Sequence, residues 1–549
     1  GPVVRFVVAV VAGLGVRIGD GKPNGGAGGA PLKQSGKQGH AIGFVAGGGE
    51  LGLAWAPPVE LVLYALQVYG HASGHPVDDP PERRAVGFAE GGEGETLSKC
   101  AAGHVAKLRG SRLPEALLRS AVCATLGRME NGFAPGRLLI KDIGYLVGFG
   151  KEPLARLSGG EMHGLPVIGD AWLAIEDGRV MDGGAMADFP GIVDWNGLEV
   201  VEASGRCVLP AWVDSHTHLV HAASREGEFV DRIRGLTYQE IAARGGGILN
   251  SAEALRAMSE EALYATSLER MERLMRMGTG AIEVKSGYGL DLESELKMLR
   301  VARRLGALDR IPVKTTFLGC HAVPAGWNSA AEYTQYMIKE VLPAVVEEGL
   351  ADHVDIFCEE GYFGLEETRM LLEAARLRGL PAKVHVNQFK ASGGVPLCVE
   401  LGAMSVDHLE VLAAEDVAEL SAAETIPVAL PLCSLFLDLP FTPGRTLVDA
   451  GCALAIATDF NPGSAPSGNM HLAAALGCLR MGLEPRESLA AATVNGAAAL
   501  GLSSEVGGLA VGQEASLMLT RPLRSVEEAL YAFGDPIAER VLLRGHWLD

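Results

Sequence analysis

This chain has no Cys-x-x-Cys pair, no uninterrupted apolar run of the roughly 18 to 20 residues that a membrane span requires, and no excess of basic residues. Over its first 128 residues it also has no methionine. Each absence excludes something. Nine cysteines, odd in number and scattered from Cys100 to Cys478, argue against a disulfide framework and for reduced thiols, hence a cytoplasmic protein. A net charge of −20 disfavours nucleic acid or an anionic membrane as partner, while leaving room for a local basic pocket that holds a small anion. The apolar opening, Val3 to Val16, carries no convincing cleavage site and runs into glycine-rich sequence.

The missing methionines divide the chain. All fifteen lie from Met129 onward, a density that would place about four or five in residues 1–128. That segment has glycine runs such as Gly25-Gly-Ala-Gly-Gly29 and no sustained helical or strand period. It reads either as an accessory extension or as translated upstream sequence; the second is favoured, with a natural start expected at Met129. No function is assigned to it.

What is present is regular. At 48% hydrophobic and 549 residues the chain can bury a large core and hold more than one domain. Arg137–Gly144, Ala171–Val180 and Leu198–Glu202 read as short strands with turn signals, hence a small β domain from 129 to 207. From 208 to 504, apolar strands alternate with long helical patterns such as Glu253–Met277 and Ala331–Gly349. Eight strand candidates can be counted: Val208–Val213, Ala281–Val284, Val313–Leu318, Val354–Phe357, Ala382–Val386, Met404–Val406, Pro427–Leu430 and Ala453–Ala457. The expected fold is an α/β, (β/α)8 TIM-type barrel with functional groups at the C-terminal strand ends. Residues 505–549, through Glu505–Ser516 and Ala538–Trp547, are expected to return to the first β domain and complete a composite β-sandwich.

Polar residues fall at those strand ends. His216 and His218 end the first; being two apart on a strand, they share a face. Lys285 to Tyr288, His321, Glu359 and Glu360, His385 and Gln388, His408, and Asp459 follow on later strands. His216, His218, His385 and Asp459 make a His3Asp set suited to one Zn²⁺ or Fe²⁺ with a position open for water. Such an ion lowers the pKa of bound water and polarises a carbonyl. Asp459 is then the expected proton acceptor, and His408 an acid or oxyanion stabiliser. Plainer readings exist: helix capping for Asp459, an ordinary charged loop for His408, and surface exposure or a hydrogen-bonding role behind the ligands for Glu359. Lys285 lies on strand two, a poor position for a metal-bridging lysine, so a single ion is expected.

With these groups placed, the chain from about Leu138 to Asp549 resembles the amidohydrolase superfamily, and more closely its imidazolonepropionases of histidine degradation. The blocks that carry the resemblance are Val213-Asp-Ser-His-Thr-His-Leu219, Ser224-Arg-Glu-Gly-Glu-Phe229, Lys285-Ser-Gly-Tyr-Gly-Leu290, Gly319-Cys-His-Ala-Val-Pro324, His385-Val-Asn-Gln388, Asp407-His-Leu-Glu410 and Ala457-Thr-Asp-Phe-Asn-Pro-Gly-Ser464. The resemblance implies His216, His218, His385 and Asp459 as metal ligands. It implies Arg225, Tyr288, His321, Gln388, Asn461, Gly463 and Ser464 as substrate contacts, with Asp459, His408 and His321 catalytic. The implied reaction is hydrolysis of the cyclic amide of 4-imidazolone-5-propanoate to N-formimidoyl-L-glutamate, with the small molecule as partner and a homodimer compatible.

Arg225 suits a substrate carboxylate; its plain alternative is an ion pair with Glu226 or Glu228. For His321 the alternative is a buried loop hydrogen bond, for Tyr288 rim packing, and for Gly463 a turn requirement. The chain departs from the expected pattern at Ala211-Trp212, Ala222-Ala223, Val386-Asn387 and Ser516, none of them a ligand or contact. Two rivals remain. A mononuclear deaminase of a heterocyclic base would place Glu where Gln388 stands, and a catalytically silent assembly subunit would have lost metal ligands, all four of which are present.

Overall fold

The computed structural model describes residues 136–548, apart from 237–239, 242–243 and 245, together with a short antiparallel pairing of Val45–Ala46 with Gly49–Glu50. The readings of residues 1–128 otherwise lie outside the described residues.

Five strands come first: β1 (Arg137–Val147), β2 (Val167–Glu176), β3 (Arg179–Ala185), β4 (Leu198–Glu202) and β5 (Arg206–Pro210). The apolar run Ala171–Val180 does not stay extended. Asp177 and Gly178 both take positive φ, 49° and 75°, and turn the chain from β2 into β3, as an Asp-Gly pair does in a tight hairpin.

Then come eight parallel strands in sequence order: β6 (Trp212–Asp214), β7 (Thr279–Lys285), β8 (Val313–Cys320), β9 (His353–Cys358), β10 (Lys383–Val386), β11 (Ser405–His408), β12 (Ile426–Ala429) and β13 (Ala455–Ile456). β9, β10, β11 and β12 are buried along their whole length, as strands are when helices cover one face and barrel neighbours the other. The helix Leu292–Gly306 shows how a cover is written. Leu296, Leu299 and Ala302 lie on the buried face, and the Asp291 side chain caps the N-terminus by accepting from the Ser294 backbone N–H at 2.9 Å. The longer pattern Glu253–Met277 is broken: Met258 is extended and Ser259 caps a new helix, Glu260–Arg276.

β14 (Leu517–Pro522), β15 (Ala538–Leu543) and β16 (His546–Trp547) return to the first sheet, where β14 pairs antiparallel with β5. Segments before and after the barrel therefore share one sheet. Residues 505–516, expected as short strands and turns, fold as turns around Gln513, whose amide accepts from Ala510 N and donates to Ser503 O and Val506 O. The seven described cysteines form no disulfide, and no described helix is long and apolar enough to cross a membrane.

One strand reading is corrected. Val208–Val213 does not enter the barrel as a unit. Val208, Leu209 and Pro210 pair with β14, whereas Trp212, Val213 and Asp214 pair with β7, because the run is apolar enough to be buried in both sheets in turn.

The barrel closes beyond the ends of β6 and β13. Thr217 pairs in parallel with Phe460, through Asp459 N to His216 O at 3.0 Å and His218 N to Phe460 O at 2.9 Å. Thr458 strengthens this seam, donating its backbone N–H (3.0 Å) and hydroxyl (2.6 Å) to the buried Asp214 carboxylate. Burial nevertheless pushes the Asp214 carboxyl up to about 7. Thr458→Val leaves that carboxylate one donor short. Denaturant unfolding should show a loss of about 1–3 kcal/mol at pH 8. The loss should be smaller at pH 5, where the folded-state carboxyl is already neutral.

Candidate active site

The seam places two imidazoles and a carboxylate at one point. His216 and His218 face it from one strand end and Asp459 from the adjacent one, each 3.6 Å from imidazole Nε2 to the Asp459 Oδ1. His385, at the end of β10, completes the group: its Nε2 lies 3.1 Å from that of His216 and 3.3 Å from that of His218. Donors held 2.0–2.1 Å from a tetrahedral Zn²⁺ would stand about 3.3 Å apart.

The tautomers decide what these distances mean. His216 Nδ1 donates to Asp407 Oδ2 and His385 Nδ1 to Asp355 Oδ2, each at 2.7 Å. A neutral imidazole that donates from Nδ1 has only a lone pair on Nε2. Burial holds His216, His218 and His385 well below their usual pKa, and the Nε2 atoms of His216 and His385 meet without a proton between them. A cation resolves that repulsion, and the donor set fits a divalent metal.

The buried carboxylates behind the ligands were not singled out in the sequence, although polar residues inside a fully buried strand, His353 and Asp355 in β9 and Asp407 in β11, carry the signal. Glu359 is not among the donors. It accepts backbone N–H bonds from Glu360 at 3.0 Å and Phe389 at 2.9 Å, and so ties the loop after β10 to the end of β9.

A cavity of about 480 Å³, counting its mouth to solvent, opens onto this His/Asp cluster. His218, His385 and Asp459 line it together with Arg225, Tyr288, His321, Gln388, His408, Asn461, Gly463 and Ser464. Of the site residues expected from the sequence, only His216 lies outside its lining, beneath the floor. Ile248, Phe357, Phe389 and Leu437 supply apolar wall that the sequence reading missed; nothing separates such residues from core residues in one dimension.

Each polar group is held by something identifiable. The loop Ser286–Leu290 wraps around Glu295, whose buried carboxylate accepts backbone N–H bonds from Gly287 (3.2 Å), Gly289 (2.8 Å) and Leu290 (2.9 Å). Gly289 lets the loop approach, since a Cβ there would sit 2.4 Å from Glu295 N. The loop aims Tyr288 at His321 and His218, with ring centroids 5.5 and 5.7 Å away. His321 stacks on His218 at 5.2 Å and donates from Nδ1 to Gly287 O at 3.0 Å, so the loop hydrogen bond does exist. Burial lowers the His321 pKa to about 4 and leaves Nε2 as an acceptor.

The Arg225–Glu228 pair exists as well, with Nε and Nη2 at 2.8 and 2.6 Å from one carboxylate oxygen, but it is built into the cavity wall and Arg225 is only 8% exposed. Gly463 is required by that guanidinium: a Cβ would lie 2.1 Å from Arg225 Nη1. Asn461 organises the turn, accepting from Gly463 N and Ser464 N and donating to Asp459 O and Ser464 Oγ. Ser464 Oγ in turn reaches Asp459 Oδ2 at 3.1 Å. Burial pushes the Asp459 carboxyl up to about 6, against the charge of His408 and the hydrogen bonds of this turn. His408 is held in left-handed backbone, φ 88°, and its Nδ1 lies 3.2 Å from Glu410 Oε1. Burial opposes charge on His408, but Glu410 outweighs it and its pKa is raised.

Comparison with known proteins agrees with this geometry. The amidohydrolase family model matches residues 207–536. An imidazolonepropionase of Flavobacterium johnsoniae is 50% identical over 408 residues, 74% of this chain and 98% of that protein. One from Christiangramia forsetii is 49% identical over 74% of this chain and 99% of its own length. The chain belongs to the imidazolonepropionase family of amidohydrolases. Among solved structures, a zinc-complexed atrazine chlorohydrolase from Arthrobacter aurescens has a TM-score of 0.56 at 16% identity, covering 75% of this chain and 95% of that one, a likeness of fold. In this family member His218, His385 and Asp459 share one cavity with Gln388 and the Arg225 wall.

Removing the metal with a chelator should lower Tm, and added Zn²⁺ should restore it in a concentration-dependent way, because an ion that binds only the folded chain stabilises it by mass action. His385→Ala, examined by the same thermal scan, should abolish the response.

Proposed function

We propose that this chain hydrolyses the ring amide of 4-imidazolone-5-propanoate to N-formimidoyl-L-glutamate, in the cytoplasm, using one ion of Zn²⁺ or Fe²⁺ held by His216, His218, His385 and Asp459. The observation that carries the reading is the pairing, in one cavity, of a metal donor set with a clamped arginine, Arg225. The ion, when bound, supplies an activated water at neutral pH and polarises the carbonyl.

The protein side chains do the rest. Arg225, its plane set by Glu228 and Gly463, grips the propanoate carboxylate with charge-assisted hydrogen bonds. Tyr288 packs on the ring, and His321 Nε2 accepts from a ring N–H, since its Nδ1 is engaged by Gly287. Asp459 Oδ2, steadied by Ser464, takes the proton of the attacking water and returns it to the departing ring nitrogen. His408, as imidazolium supported by Glu410, stabilises the oxyanion. Gln388 and the backbone of Gly463 line the ring's path, and Asn461 fixes the turn. Gln388 has no titratable proton to pass to a leaving amine, which favours ring opening over deamination. Every group in this scheme comes from one chain, so a homodimer is not needed to complete the site.

The test is turnover of imidazolone propanoate generated in situ from urocanate, with product mass measured. Formimidoylglutamate formed only by metal-loaded protein supports the reading; no product, with ammonia released from a heterocyclic base instead, would replace it with a deaminase. Arg225→Ala should raise KM roughly 10- to 100-fold, the value of a charge-assisted hydrogen bond. In Glu410→Gln, loss of the carboxylate lowers the His408 pKa, so the alkaline limb of kcat/KM should move to lower pH.

A further inference from the structure

Lys285 opens the Lys285-Ser-Gly-Tyr block, yet neither the metal set nor the substrate wall uses it. It is fully buried at the end of β7. Its Nζ lies 2.8 Å from Asp355 Oδ2 on β9, 2.9 Å from Glu283 Oε2 on its own strand, and 3.7 Å from Asp407 Oδ2 on β11. Asp355 and Asp407 are the two carboxylates that hold His385 and His216 by Nδ1, each through the same oxygen that faces the lysine.

We infer that Lys285 is a positioning residue for the metal: one ammonium, reaching across the barrel interior, fixes two of the three imidazole ligands through their carboxylate partners. The inference rests on reading His216, His218, His385 and Asp459 as the metal set. Each carboxylate is anchored at its other oxygen by a separate partner, Asp355 by the backbone N–H groups of His385 (3.0 Å) and Ile356 (2.7 Å), and Asp407 by Ser405 Oγ (2.6 Å). Lys285 controls the oxygen that the imidazole reads. Without the ammonium, Glu283 and Asp355 become buried like charges with nothing between them, and they relax apart. The rotation of Asp355 carries the His385 ring with it. Outer partners of metal-binding histidines typically contribute 10- to 100-fold to metal affinity; here one residue serves two such partners.

Lys383 is the internal control. It is equally buried and also 3.7 Å from Asp407 Oδ2, but it donates to Ser405 Oγ and Ala499 O and makes no contact with Asp355. The experiment is Zn²⁺ affinity of the full chain, by competition with a chromophoric chelator, with Tm of the metal-free protein measured in parallel. Lys285→Met should weaken Zn²⁺ roughly 10- to 100-fold, and with Co²⁺ its visible absorption should lose the intensity of a regular four-coordinate site. Lys383→Met should lower Tm with affinity within about threefold of wild type, since it leaves the Asp355–His385 pair intact. Where the single variant does not fold, Lys285→Met combined with Glu283→Gln removes the like-charge repulsion together with the ammonium that holds Asp355 Oδ2, and should weaken Zn²⁺ less than the single variant but by more than about threefold. A folded Lys285 variant with wild-type Zn²⁺ affinity overturns the inference and leaves Lys285 a purely structural role. A wild-type chain that does not bind Zn²⁺ overturns the metal reading beneath it, a separate outcome.

Discussion

The closing seam of the barrel is the constraint on which the rest depends. Two backbone hydrogen bonds, Asp459 N to His216 O and His218 N to Phe460 O, finish the cylinder, and the residues that make them belong to the His/Asp cluster or are its immediate neighbours. Fold closure and site assembly are thus one event. A register slip at this seam would cost more than two hydrogen bonds: it would turn His216 and His218 away from the interior and separate them from Asp459.

Behind the donors, the barrel interior is charged where most barrels are packed with branched apolar side chains. Lys285, Lys383, Glu283, Asp355 and Asp407 are all buried, and buried charges persist only when paired and fully hydrogen-bonded. Thr316 Oγ1 and Ser405 Oγ contribute to that satisfaction, bonding Glu283 and Asp407. In front of the donors the same logic is applied to backbone: Glu295 collects the N–H groups of the tyrosine loop, and Asn461 those of the turn beside Asp459. The cavity is therefore lined by groups whose positions are set by neighbours outside it. This is how loops at strand ends acquire the rigidity that catalysis needs.

Much of this was legible in one dimension. The eight strands follow from short apolar runs alternating with helical periods, and the donors from polar residues at their C-terminal ends. Three features were not legible. The run Cys207–Asp214 divides between two sheets, because an apolar run indicates burial but not what buries it. Asp355 and Lys285 are known as one network only when β7 and β9 are placed on either side of β8. The requirement at Gly463 is the approach of Arg225, 238 positions away in the chain, and no local turn preference predicts it.

The sequence by itself determined the class of fold, the donor types and, through period-two spacing, the shared face of His216 and His218, since these depend on residues next to one another in the chain. Tertiary structure alone decided that His385 and Asp459 come within 3.1–3.6 Å of that pair, and that Asp355, Asp407 and Glu228 orient His385, His216 and Arg225. Those relations depend on barrel closure and strand register, which are summed over hundreds of residues and so are written in no local segment.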